Sequence, residues 1–135
     1  MEIIVSDHNQ IHSIYDSTTC ILRSRYSGLF KAEIALNHFN AVELFSQTHK
    51  IKGVLADLRK LSGSFNKILE YLSSEGYPEM KKTGLEAEAL VISNDLMIEN
   101  LSVKLAALIK KKHIKSNIFR SHEEANTWLL KAVKN

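Results

Sequence analysis

The residues best equipped for chemistry lie close together in Asp57-Leu58-Arg59-Lys60-Leu61-Ser62-Gly63-Ser64, which offers a carboxylate, two cations and two hydroxyls. With His122 they contain the side chains of a serine hydrolase: Ser62 or Ser64 as nucleophile, His122 as base and Asp57 to orient it. The Gly-x-Ser-x-Gly elbow that turns such a nucleophile sharply between strand and helix is absent, because Gly63-Ser64 lacks the second glycine. No catalytic residue is assigned. Six histidines raise the question of a metal, yet His8, His12, His38, His49, His113 and His122 scatter over different predicted elements. Only His8 and His12 are four apart, beside an expected strand where that spacing does not align side chains, so no metal or cofactor is expected.

The 135 residues, 44% of them hydrophobic, suffice for one domain over 1–135 with its own core. The single cysteine, Cys20, excludes an intrachain disulfide, and its apolar surroundings predict a buried thiol in a reducing compartment. The acidic start Met1-Glu2-Ile3-Ile4-Val5-Ser6-Asp7 does not match a signal peptide, and no later run has the apolar length of a membrane span. A cytoplasmic location is expected. The net charge of +3 is concentrated in Lys110, Lys111, Lys112, Lys115 and Arg120. No aromatic residues interleave this run as stacking platforms, so it suits the negative end of a helix dipole and nucleic acid is not an expected partner.

The elements that must position these groups follow from periodicity. Ile11 to Asp16 and Thr19 to Tyr26 alternate as strands, with Cys20, Leu22 and Tyr26 on one face and Arg23 and Arg25 on the other, joined by a turn at Asp16, Ser17 and Thr18. Ala35, Phe39, Val42 and Phe45 recur at helical spacing within residues 31–48. Gly53 to Asp57 reads as a buried strand, and Ser64 as the cap of a helix carrying Phe65, Ile68, Leu69 and Leu72 that Gly76-Tyr77-Pro78 interrupts. Ala89 to Ile92 reads as another strand, and Asn94 or Asp95 caps a helix with Ile98, Leu101, Leu105 and Leu108. Ser116 to Phe119 closes the sheet. Ser121 and Glu124 form a capping box for a last helix with Ala125, Trp128, Leu129 and Ala132 inward. A hairpin followed by alternating helices and strands predicts an α/β fold: a single-layer mixed, mostly parallel sheet with about four helices.

This order of elements, with its Val54-Leu55-Ala56-Asp57 and Ala89-Leu90-Val91-Ile92 strands and the closing run from Ile118 to Leu129, resembles the STAS-like, or anti-sigma-factor-antagonist-like (SpoIIAA-like), domains of bacteria. The likeness covers nearly the whole chain and rests on patterns of apolar residues. It implies a non-enzymatic regulatory or sensory module that binds a protein partner or a small ligand. Antagonists of that family switch through phosphorylation of a serine after the central strand, which here would be Ser62 or Ser64. The connection is shorter in this chain and lacks an acidic residue immediately before the serines. Asp57 also resembles the phosphoacceptor of response-regulator receivers, but the initial acidic pair and the final lysine of that family are missing and the chain begins with a hairpin.

Ligands of open α/β sheets bind beyond the carboxyl ends of the strands, which gathers Asp57, Arg59, Ser62, Ser64, Ser93, Asn94, Asp95, Arg120, Ser121 and His122 toward one edge. The expected ligand- or partner-binding residues are Asp57, Arg59, Ser62, Ser64, Asn94, Asp95, Arg120 and His122. Two alternatives remain: a carrier or sensor of an apolar, lipid-like ligand near Phe39, Phe45, Leu69, Tyr71 and Leu72, and the small hydrolase described above. A homodimer through the hairpin edge or the Met1 to Val5 segment is a further expectation, because unpaired strand edges invite pairing.

Overall fold

Two-residue alternation carries the first three strands, β1 (Glu2–Asp7), β2 (Ile11–Asp16) and β3 (Ile21–Leu29), into an antiparallel meander. The computed structural model, which describes residues 1–133, continues in parallel from β3 through β4 (Gly53–Ser62) and β5 (Ala87–Val91) to β6 (Lys115–Phe119). The six strands therefore lie in the order of the sequence. This is the mixed, mostly parallel sheet that the hydropathy pattern predicts, with an added strand: the Met1 to Val5 segment forms the β1 edge.

The hairpin departs from expectation at Cys20, which stands in the turn at φ 61 and is half-buried, neither in the strand nor a core thiol. Asp16 dictates that turn. Its carboxylate accepts the Thr18 N–H at 2.9 Å and its carbonyl accepts the Cys20 N–H at 2.8 Å, closing the loop before β3 begins. β4 runs on to Ser62, past the predicted end at Asp57, because the far end of β3 continues alongside it after a register shift between Arg25 and Ser27. β5 starts at Ala87 since Gly53 and Val54 of β4 pair with Ala87 and Glu88.

Helix α1 (Ala32–Ser46) links β3 to β4, and α4 (Leu96–Lys111) links β5 to β6. Between β4 and β5 the chain forms a 3-10 turn (Asn66–Ile68), α2 (Leu69–Tyr71), a π-helical turn (Leu72–Gly76) and α3 (Tyr77–Thr83). Pro78 accounts for the interruption. A proline has no N–H to offer the preceding turn, and the ladder widens one residue earlier, where the Tyr77 N–H reaches the Leu72 carbonyl. The last helix is α5 (His122–Ala132).

Asp95 caps α4, accepting the Ile98 N–H at 3.1 Å, and Ser121 caps α5, accepting the Glu124 N–H at 3.3 Å. Ser64 differs: its hydroxyl accepts the Asn66 N–H at 3.2 Å while Phe65 holds the cap position, so it braces the entry to the 3-10 turn.

The sheet has two unlike faces. Val54, Ala56 and Leu58 point to one core, filled from α1, α4 and the 66–83 helical segment, while Leu55 points to a second core under α5. There Ala125, Leu129 and Val133 pack on Ile21, Leu55, Ala87, Ala89 and Val91. Trp128 is half-buried against Phe119, with ring centres 5.6 Å apart, while Ala125 and Leu129 occupy the centre. Among the described residues α5 is the one helix on its side, so β1, β2 and most of β3 carry no helix there. Leu129 has no exposed surface and pins α5 to the sheet, so Leu129→Ala should cost about 3 kcal/mol through lost burial and a residual cavity. The check is the urea midpoint; a loss below about 1 kcal/mol would mean that α5 contributes little to holding the sheet.

Candidate functional site

On the helix-free part of the sheet the cross-strand register sets side chains in rows. His12 stands opposite Arg25, and Arg25 opposite Asp57; one step along, Ile14, Arg23 and Leu55 form the next row. These rows, with His122 at the start of α5, line an open groove of about 350 Å³. Glu2 and Asp16 lie at its other end.

The groove is chemically uneven. Asp57 and Arg59 are two apart on one strand and so share a face, where the Arg59 Nε donates to Asp57 Oδ1 at 2.9 Å and Nη2 to Oδ2 at 2.8 Å. The Arg59 backbone N–H adds a third bond at 3.1 Å. Burial alone would raise the Asp57 carboxyl, but the bonds and charge of Arg59, with a smaller contribution from His122, hold it below its ordinary value. Arg23 is turned toward α5, its Nε donating to Asn126 Oδ1 at 3.1 Å. His12 Nδ1 lies 3.0 Å from Asp7. Arg25 is exposed, and among the described residues its guanidinium has no side-chain partner. With Asp57 taken up by Arg59, the carboxyl-end half of the groove offers Arg25, Arg23 and the two histidines to a ligand.

The other expected site residues fall in two further places. Arg120 ties neighbouring loops together: Nη1 donates to the Ser93 carbonyl at 2.6 Å and Asn94 Oδ1 at 3.2 Å, and Nη2 pairs with Glu99 at 2.9 Å. Asp95 is engaged as the α4 cap. Ser62, the last residue of β4, and Ser64 just past it are exposed, either side of Gly63. Gly63 has φ +83, and a Cβ there would stand 2.7 Å from the Leu29 side chain, so this connection requires glycine. Thus Asp57, Arg59 and His122 share the groove; Asn94 and Arg120 join in a knot with Ser93 and Glu99, next to the Asp95 cap; the serines flank the Gly63 bend. The sequence reading missed His12, Arg23 and Arg25 as groove residues, although the alternation of β2 and β3 already set both arginines on one face.

A second feature lies inside the fold, between the sheet and α1 to α3. Two adjoining hollows of about 50 and 40 Å³ share Tyr26, Phe39, Leu72, Tyr77 and Glu88. Glu88 is only 5% exposed on a strand otherwise filled by Ala87, Ala89, Leu90 and Val91. Burial pushes it up to about 8, against the opposing pull of a hydrogen bond with the Tyr77 hydroxyl. His38 from α1 lines the larger hollow, and its buried Nδ1 has no hydrogen-bond partner. Burial pushes its imidazole down to about 4, so it is neutral near pH 7. The readable signal for this place was the lone acid in Ala87-Glu88-Ala89-Leu90-Val91-Ile92.

Among the described residues no three His, Cys, Asp or Glu side chains converge closely enough to hold a metal ion, and no helix is long and apolar enough to cross a membrane. No protein-family model matches the chain, and no curated protein matches it. Among solved structures it is similar to an uncharacterised protein of the DUF3478 family with a SpoIIAA-like fold from Shewanella loihica PV-4, at 16% identity and a TM-score of 0.56. The likeness spans 96% of this chain and 92% of the other. The fold is therefore SpoIIAA-like.

The Asp57–Arg59 pair has a defined acid signature. A carboxyl held low in the fold contributes stability that is present above its unfolded value and lost as pH falls through the folded one. In Arg59→Met, Asp57 should titrate at higher pH, by carboxyl carbon NMR, and stability should fall less steeply on acidification. An unchanged Asp57 titration would show that the pair does not set it.

Proposed function

We propose that this chain is a non-catalytic regulatory or sensory module that takes a small anionic ligand, a carboxylate or a phosphate, in the groove beside α5. The observation that carries this reading is the exposed Arg25 guanidinium set in register between His12 and Asp57, in a row where Arg59 already neutralises the one carboxylate. A planar guanidinium can bind both oxygens of a carboxylate or phosphate, and Arg23 and His122 stand on the same groove wall to add donors. A protein partner presenting an acidic side chain would meet the same groups. The absence of the hydrolase elbow and the engagement of Asp57 with Arg59 favour binding over hydrolysis.

A second reading is favoured by the two hollows between sheet and helices: a sensor of a largely apolar small molecule held inside the fold. Phe39 and Leu72 line both of them and supply apolar wall, while Phe45 lines neither. Tyr71 stacks on Phe39, and Leu69 packs against the same core.

Titrating inorganic phosphate and succinate into labelled protein should move the amide signals of Arg23, Arg25 and His122 together and leave α4 unmoved. Arg25→Ala should weaken binding about tenfold or more, the value of one charged hydrogen bond of about 1.5–3 kcal/mol. Uniform small shifts over the surface, or unchanged affinity in Arg25→Ala, would remove the groove as the site.

A further inference from the structure

We propose that the hollow between the sheet and α1 to α3 binds a small apolar amine as its ammonium ion, with Glu88 as counter-ion and aromatic rings as its walls. This rests on the second reading above and gives the interior ligand a charge.

The composition of the wall carries the inference. The larger hollow presents two acidic side chains, Glu88 in depth and Glu43, half-buried, with no lysine or arginine in its lining, and the lining of the smaller adds no basic residue. A carboxylate buried without a cation is costly, and proteins normally pair it. Among the described residues no salt bridge reaches Glu88. His38 does not supply the missing charge, because burial keeps it neutral. With no cation of the chain beside it, Glu88 is held toward its neutral form, and a cation that would stabilise its ionised form must come from outside the chain.

The rings fit the same charge. Tyr26, Phe39 and Tyr77 line both hollows together with Glu88, and Tyr26 meets His38 edge-on with centres 5.6 Å apart. Aromatic faces are electronegative and hold alkylammonium groups, whereas they repel a carboxylate, which would also find no lysine or arginine in this wall. A fatty acid or other anionic lipid is therefore the wrong class for this interior. The unpartnered Nδ1 of neutral His38 can accept one ammonium proton, which gives the head a second hydrogen-bonding point. The Tyr71 hydroxyl bonds to Glu43, and the π-helical turn contributes Leu72 and Gly76 to the wall. The two adjoining hollows together have room for about six waters, which bounds the ligand to about six or seven non-hydrogen atoms. The Glu88 carboxyl, raised to about 8, is largely protonated at pH 7, so binding an ammonium ion sends the Glu88 proton to the buffer while the amine keeps its own.

Isopentylamine, isopentyl alcohol and isovalerate share one apolar body and differ in charge. Calorimetric titration of each into the unmodified protein at pH 7 should rank the amine at least tenfold tighter than the alcohol, leave isovalerate unbound, and show amine heats that vary with buffer ionisation. Glu88→Gln, which keeps size and removes the charge, should erase the preference and the proton release. Equal binding of amine and alcohol, or tighter binding of isovalerate, would overturn the charge assignment while leaving an interior ligand in place. Failure of all three to bind would overturn both. The comparison on unmodified protein decides the matter even if Glu88→Gln does not fold.

Discussion

The handedness of strand crossovers governs this molecule. Parallel strands joined through helices connect in the right-handed sense, so a sheet whose parallel strands advance always in one direction must receive every crossover on the same side. β3 to β6 advance in sequence order, and α1, the 66–83 segment and α4 accordingly share one face. One helix is left for the other side. α5 follows the last strand and can fold back only over its near neighbours, and the bare ground beyond it is where the charged groove lies. Both candidate sites thus arise from one topological fact: a crowded face that encloses space, and a sparse face that exposes it.

The two faces handle charge in opposite ways. On the sparse side the charged groups stay wet or meet partners of opposite sign, as Asp57 does with Arg59, and the cost of holding them is small. On the crowded side Glu88 and His38 are each driven toward the neutral form by loss of water. An aliphatic residue at position 88 would fill the strand without that penalty. Retaining a carboxyl there is a departure from local consistency of the kind that accompanies function.

Much of the fold was legible because its signals are local. Leu22 and Tyr26 against Arg23 and Arg25 declare a strand, Ser121 before Glu124 declares a helix start, and Pro78 after Gly76 declares an interruption. The misjudged boundaries depend on neighbours instead: β4 outlasts Asp57 because β3 runs beside it, and Cys20 joins a turn because Asp16 accepts the N–H groups of Thr18 and Cys20 before β3 begins. The site was legible in part. Asp57, Arg59 and His122 could be assigned to one end of the sheet from strand order, whereas the meeting of His12, Arg25 and Asp57 depends on register across three strands, which spacing along the chain does not encode. Glu88 was visible as an acid among apolar residues, but only the packing of α1 to α3 makes a chamber around it.

The Arg120 knot divides the molecule mechanically. By gripping Ser93 and Asn94 with one nitrogen and Glu99 of α4 with another, it fastens the turn before α5 to the turn before α4, and so couples helices on opposite sides of the sheet. The 66–83 segment is fastened differently: its backbone passes through three kinds of helical turn in eighteen residues, and it meets α1 through the Tyr71–Glu43 and Thr83–Ser46 side-chain bonds and apolar contact, and the turn after α4 through Lys81 Nζ, which donates to the His113 carbonyl at 3.0 Å. Arg120 thus ties α4 and α5 into one frame, while the wall over the enclosed acid is held to α1 and to the end of α4 by separate side-chain bonds and by apolar contact.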